Sequence, residues 1–140
     1  MQALNIGQAA ARSGLSAKMI RHYEQIGLLA PASRSASGYR LYGPEALDTL
    51  VFIKSARALG FSLEAVGQLL ALKRDPGRAS ADVQALARRH ITALDERIYE
   101  LTALRDGLRT LVSQCQGNDS PQCAILDELA AGSVPAAAGR

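Results

Sequence analysis

The sequence predicts a mainly α-helical protein: a winged helix-turn-helix, a long amphipathic helix, and a C-terminal loop with a short helix. Three observations lead there. Leu and Ala dominate a composition with 4% aromatics and no Trp, so the core is aliphatic and β-branched residues are few. Gly and Pro fall at the ends of apolar segments, where they stop or start helices. From Ser80 to about Ser113 the chain has no Pro and one Gly, which reads as one uninterrupted helix.

Taken in order, Ile6 to Ser13 is an alanine-rich short helix stopped by Gly14, and Ser16 is the N-cap of a second helix through about Gln25. Two short helices around a Gly turn suggest helix-turn-helix. Ala10, Leu15, Met19 and Ile20 supply its buried contacts, and Lys18, Arg21, His22 and Tyr23 form a polar, basic outer face suited to a DNA groove, with core as the alternative place for Tyr23, Tyr39 and Tyr42. Pro31 to Tyr42, with Ser37-Gly38 between Arg34 and Tyr39-Arg40-Leu41-Tyr42, reads as a hairpin or wing. Pro44 opens a third helix to about Leu59, closed by Gly60, and Ser62 caps a fourth ending near Lys73, before Asp75-Pro76-Gly77.

In the long helix a 4,3 spacing joins Ala87, Ile91, Leu94, Ile98, Leu101, Leu108 and Val112, with Arg105 interrupting the seam and Leu104 beside it. Little chain remains to cover that stripe, so a second copy is expected to, giving a homodimer. Ser80 reads as this helix's N-cap, with Asp82 in the first turn. Ser120 and Pro121 read as N-cap and first residue of a small helix through about Ala130, which puts Cys123 in its first turn. The expected organisation is a winged helix-turn-helix DNA-binding domain over 1–75, a dimerisation helix over 80–113, a metal-binding loop and short helix over 114–131, and a disordered tail over 132–140.

The length, 140 residues, excludes a large catalytic architecture such as an eightfold barrel. The formal charge of +3 is unevenly placed. Residues 1–60 carry Arg12, Lys18, Arg21, Arg34, Arg40, Lys54 and Arg57 against Glu24, Glu45 and Asp48, whereas the remainder is slightly acidic, so the N-terminal end is the one expected to meet phosphate. No leader pattern or bilayer-length apolar run stands out, and a cytoplasmic protein with no membrane partner is expected.

Both cysteines, Cys115 and Cys123, bracket the loop after the long helix. Free amides and the helix dipole at the short helix favour a thiolate at Cys123, and seven intervening residues let the two sulfurs converge. Two thiolates without further soft ligands suit a monovalent thiophilic d10 ion such as Cu(I), whereas zinc wants about four ligands. A four-thiolate site shared by two chains, a reversible disulfide, and two merely structural cysteines are the alternatives. An enzyme is not expected: there is no Cys-x-x-Cys, no glycine-rich phosphate loop, and no nucleophile partner for His22 or His90.

Asn5-Ile6-Gly7-Gln8-Ala9-Ala10, Met19 through Leu29, Ser37-Gly38-Tyr39-Arg40-Leu41-Tyr42 and Ala56 through Leu63 together resemble the MerR family of transcription regulators. The ending, with Cys115 and Cys123 followed by Ala124-Ile125-Leu126, is similar to the copper efflux regulators of that family. His22 stands where the family usually has Phe or Tyr, and Ala124 where the subgroup commonly has Pro.

The resemblance implies DNA contacts by Lys18, Arg21, Tyr23, Arg34, Tyr39, Arg40 and Arg57, and metal ligation by Cys115 and Cys123. It implies a selectivity role for Ser80, where regulators of divalent metals carry a cysteine and a serine goes with +1 ions. It further implies one Cu(I) per chain, with Ag(I) or Au(I) as alternatives, and an antiparallel coiled coil in the dimer. The implied partners are promoter DNA bearing a pseudo-palindromic operator and RNA polymerase, which gains access when the dimer distorts the promoter and switches on copper-efflux and detoxification genes. A thiol redox switch on the same scaffold is the other reading.

Overall fold

In the computed structural model, which describes residues 3–132, the chain forms six helices and one two-stranded sheet among the described residues: α1 (Ile6–Ser13), α2 (Ala17–Gln25), β1 (Ser33–Arg34), β2 (Arg40–Leu41), α3 (Pro44–Ala58), α4 (Leu63–Arg74), α5 (Ser80–Gln114) and α6 (Ala124–Ala131). The order is the expected mainly α architecture: helix-turn-helix, wing, helix pair, long helix, short helix. It divides into two compact units, one ending at Leu86 and one beginning at Ala87.

The first unit is organised by its caps. Asn5 accepts from the Gln8 amide while the Gln8 side chain accepts from the Asn5 amide, both at 2.9 Å, closing a reciprocal box at the start of α1. Gly14 ends α1 with φ +75, and a Cβ there would collide with the Lys54 ammonium as well as strain the backbone. Ser16 accepts from Met19 N–H at 3.1 Å and Ser62 from Ala65 N–H at 3.1 Å, so α2 and α4 begin at hydroxyl caps. Pro44 sits at the first turn of α3, where its missing N–H has no intrahelical partner to lose.

The strands pair antiparallel, with Ser33 opposite Leu41 and Arg34 opposite Arg40. Gly38 reverses the chain at φ +86, a left-handed conformation open to glycine. Leu4 and Tyr42 exchange backbone hydrogen bonds at 2.8 and 2.7 Å, anchoring the strand to the chain that leads into α1. Ile20, Leu29, Tyr42, Leu50, Ile53 and Val66 are the large side chains fully buried in this unit.

The buried contacts within the helix-turn-helix differ from expectation in detail. Ile20 is fully buried as expected, but Ala9, one residue before Ala10, is the fully buried alanine of α1, and Ala10, Leu15 and Met19 are half-buried. Tyr23 is the larger correction: it is 2% exposed, in the core rather than on the outer face, because it lies three residues after Ile20 and shares that residue's face.

In the second unit, α5 leaves Ile91, Leu94, Ile98, Leu101, Leu104, Leu108 and Val112 exposed. Arg105, at the break in that spacing, pairs with Asp106 at 3.0 Å. Ser80 is the first helical residue of α5 rather than the residue before it, since the Asp82 amide bonds back to the Ala79 carbonyl.

The start of α6 is corrected too. Ser120 and Pro121 do not begin it; Cys123 is the N-cap, with extended backbone at φ −150, ψ 116, and its carbonyl accepts from Asp127 N–H at 3.0 Å. The polar residues upstream are spent on local turns, Asn118 accepting from the Ser120 amide at 2.9 Å and Ser120 from the Gln122 amide at 3.3 Å. Gly132 ends α6, and the rest of the expected tail, 133–140, lies outside the described residues.

Replacing the fully buried Leu50 by Ala removes packing from α3 and is expected to lower stability by about 2–5 kcal/mol, read as a lower midpoint in urea denaturation. A change under about 0.5 kcal/mol contradicts the burial described.

Candidate nucleic-acid interface and thiol pair

The outer face of α2 and the wing beside it enclose a concave surface of about 720 Å³. Lys18, Arg21, His22 and Arg40 line it with Met19, Glu24, Gln25 and Pro31, so four groups able to carry positive charge converge where the helix faces away from the Ile20 and Tyr23 core. Of the seven expected DNA-contact residues, Lys18, Arg21 and Arg40 therefore share one surface.

The other four divide. Tyr39 stands 71% exposed in the wing turn, its amide held by Ser35 Oγ at 3.1 Å. Arg34 closes the same turn from inside, donating from Nη1 to the Gly38 carbonyl at 2.9 Å. Arg57 donates from Nη1 to the Phe61 carbonyl at 2.6 Å, tying the end of α3 to the turn before α4. Tyr23 is in the core and presents no outward face.

Glu24 belongs to this surface as well. It accepts a short hydrogen bond from the Tyr42 hydroxyl, and its other oxygen lies 3.6 Å from Arg40 Nε, with the Glu24 side chain 12% exposed and that of Arg40 35%. Burial first, and then the hydrogen bond and charge of Glu24, push the Tyr42 phenol up to about 12. The signal available in the sequence was a lone acid inside the basic stretch, eighteen residues before a tyrosine.

In the second unit Cys115 follows the last residue of α5 and Cys123 caps α6. Their sulfurs stand 3.3 Å apart and both residues are half-buried. The Leu126 amide in the first turn of α6 and the Cys115 thiol hold the Cys123 thiol below its ordinary range, the first effect being the larger. With metal–thiolate bonds of about 2.3 Å, a nearly linear two-thiolate ion needs the sulfurs about 4.6 Å apart, so this donor pair fits a thiophilic metal once the loop lets the sulfurs part from 3.3 Å. Among the described residues no three His, Cys, Asp or Glu side chains are grouped to hold one. Ser80 is exposed and falls in the first unit.

Comparison with known proteins bears on both surfaces. Residues 5–42 match the family model for MerR family regulatory proteins, and residues 47–111 match the model described as MerR, DNA binding. Heavy metal-dependent transcription regulator 2 of Rhizobium meliloti is 49% identical over 131 residues, covering 94% of this chain and 89% of that one. The transcriptional regulator CueR of Salmonella typhimurium is 41% identical over 126 residues, covering 90% and 91%. Among solved structures, the transcription regulator PbrR691 of Ralstonia metallidurans in complex with lead(II) superimposes with a TM-score of 0.79 at 32% identity, covering 90% of this chain and 98% of that one.

Because the Cys115 thiol helps to hold the Cys123 thiol low, Cys115→Ala is expected to raise the Cys123 titration and to slow its alkylation by iodoacetamide near pH 7, the gap closing as pH rises above the thiol range. Equal rates across that pH range in parent and variant contradict the contact.

Proposed function

Since the chain belongs to the MerR family of transcription regulators and is not an enzyme, we propose that it is a Cu(I)-responsive transcriptional activator acting in the cytoplasm on copper-efflux and detoxification promoters. The observation that carries the metal half of this reading is the pair of sulfurs 3.3 Å apart at the N-terminus of α6. Two soft donors suit a monovalent ion of the class of Cu(I), Ag(I) and Au(I), at one per chain, and the likeness to a CueR regulator supports Cu(I). Ser80 supports the same choice, because it puts a hydroxyl where divalent-metal regulators of the family carry a thiol.

Cys115 and Cys123 would hold the ion, which would supply positive charge to offset the two thiolates, and the two cysteines would then fix the loop between them. Lys18, Arg21 and Arg40 meet the operator at the α2 groove, Tyr39 and Arg34 serve from the wing, and Arg57 from the end of α3. The exposed apolar stripe of α5 pairs with that of a second copy, antiparallel, matching a two-fold operator with a two-fold protein. The dimer bends and underwinds the promoter so that RNA polymerase engages both of its elements. Bending costs a few kcal/mol, and typical couplings of about 1–3 kcal/mol per effector are of the size needed to shift it.

The 3.3 Å separation also favours a second reading, a thiol redox switch, since a disulfide needs the sulfurs to close only to about 2.04 Å.

Anaerobic exposure of the reduced protein to Cu(I) and Zn(II) together, with glutathione in excess, is expected to leave about one Cu(I) per chain and no zinc. Zinc retention transfers the proposal to a shared four-thiolate site, and no metal at all leaves the redox switch. Cys115→Ser or Cys123→Ser is expected to abolish metal-dependent transcription with operator binding intact, whereas Arg21→Ala costs about 1–3 kcal/mol of operator affinity with or without metal. Ser80→Cys is expected to extend the response to divalent ions; an unchanged metal profile removes position 80 from the selectivity argument.

A further inference from the structure

We propose that Glu24 is a positioning residue for DNA recognition: it fixes the wing's Arg40 against the recognition helix α2 and shares that task with Tyr42. The inference rests on the reading that the α2 groove and the wing meet DNA. It extends that reading to an acidic residue that by charge alone opposes it.

A carboxylate in a phosphate-binding groove lowers affinity unless it does something else, because its charge repels the ligand. Glu24 is the acid lining this groove, and it is largely buried rather than turned to solvent. Both of its oxygens are in use. One accepts from the Tyr42 hydroxyl, and the other lies 3.6 Å from Arg40 Nε. Tyr42 is itself immobile: 1% exposed, it exchanges two backbone hydrogen bonds with Leu4. Glu24 is therefore held at a defined point, and Arg40 lies against it at ion-pair distance, beyond hydrogen-bond length.

The choice of nitrogen carries the rest. A guanidinium has five N–H donors in a planar fork, and contact at Nε leaves the two terminal amino groups for a second acceptor on the far side. An arginine on the two-residue strand β2 has several rotatable bonds, and ordering it on binding costs conformational entropy. Holding it beforehand at Nε moves that cost into folding, and DNA meets a preset fork. The wing's two-residue strands have little register of their own, so the Tyr42–Glu24–Arg40 chain also fixes the distance between wing and helix.

The test uses the full chain and a duplex that the parent protein selects from a random-sequence library, fluorescently labelled for titration. Glu24→Gln is expected to weaken binding about fivefold or more, the size of one lost charge-assisted contact, although it removes a negative charge from the groove. Combined with Arg40→Ala it is expected to add nothing further, because Arg40 is the group it acts through; combined with Lys18→Ala the two losses are expected to multiply. A general loosening of the fold moves both combinations alike. Tyr42→Phe, which removes only the hydroxyl, is expected to repeat the pattern and serves if Glu24→Gln does not fold. Unchanged or tighter binding by Glu24→Gln, or losses that multiply with Arg40→Ala, overturns the inference and leaves the DNA-binding reading intact. A parent protein that selects no duplex overturns both.

Discussion

One phenol ring ties α2, the wing and the chain before α1 together. Tyr42 is where three stretches of chain meet: the segment before α1, whose Leu4 pairs with its backbone; the end of the wing, to which it belongs; and α2, whose Glu24 takes its hydroxyl. Burying a tyrosine is favourable only when its hydroxyl keeps a partner, because an unbonded phenol in the core loses about as much as the ring gains from a neighbour. Glu24 supplies that partner, and the same carboxylate lies against Arg40. A packing requirement and a recognition geometry thus come from a single acid, and neither is adjustable without the other.

The two surfaces of the chain obey different physics. At α2 and the wing, charge is spread over several long side chains on a rigid support, which suits a polyanion whose contacts are many and individually weak. At α6, two sulfurs within 3.3 Å and one helix terminus focus the chemistry on a point, which suits one small ion with a strong preference for sulfur.

Much of this was legible in the residues, and the boundary between what was and was not is physical. Helix ends set by backbone chemistry are local, so Gly14, Ser16, Pro44 and Ser62 could be read directly, and the structure places them as read. The Asn5 to Gln8 box was equally local and carries the same three-residue signature. Ser120-Pro121 bears the marks of a helix start yet does not make one, because the loop's side chains satisfy its amides and leave extended backbone at Cys123 as the cap. Tyr23 was misplaced because an aromatic hydroxyl reads equally well as surface or core until the three-residue step from Ile20 is counted. Glu24 was illegible for a deeper reason. Its meaning lies in Tyr42, eighteen residues on, and no local pattern connects them.

The apolar stripe along α5 has a thermodynamic consequence. Seven large side chains, from Ile91 to Val112, stand in solvent on a single chain. In the proposed homodimer that surface gains free energy when the second copy supplies the cover, so the stability of the helix becomes a function of how many copies are present. A protein built this way measures its own abundance: dilution favours the uncovered and less stable form, and concentration protects the covered one.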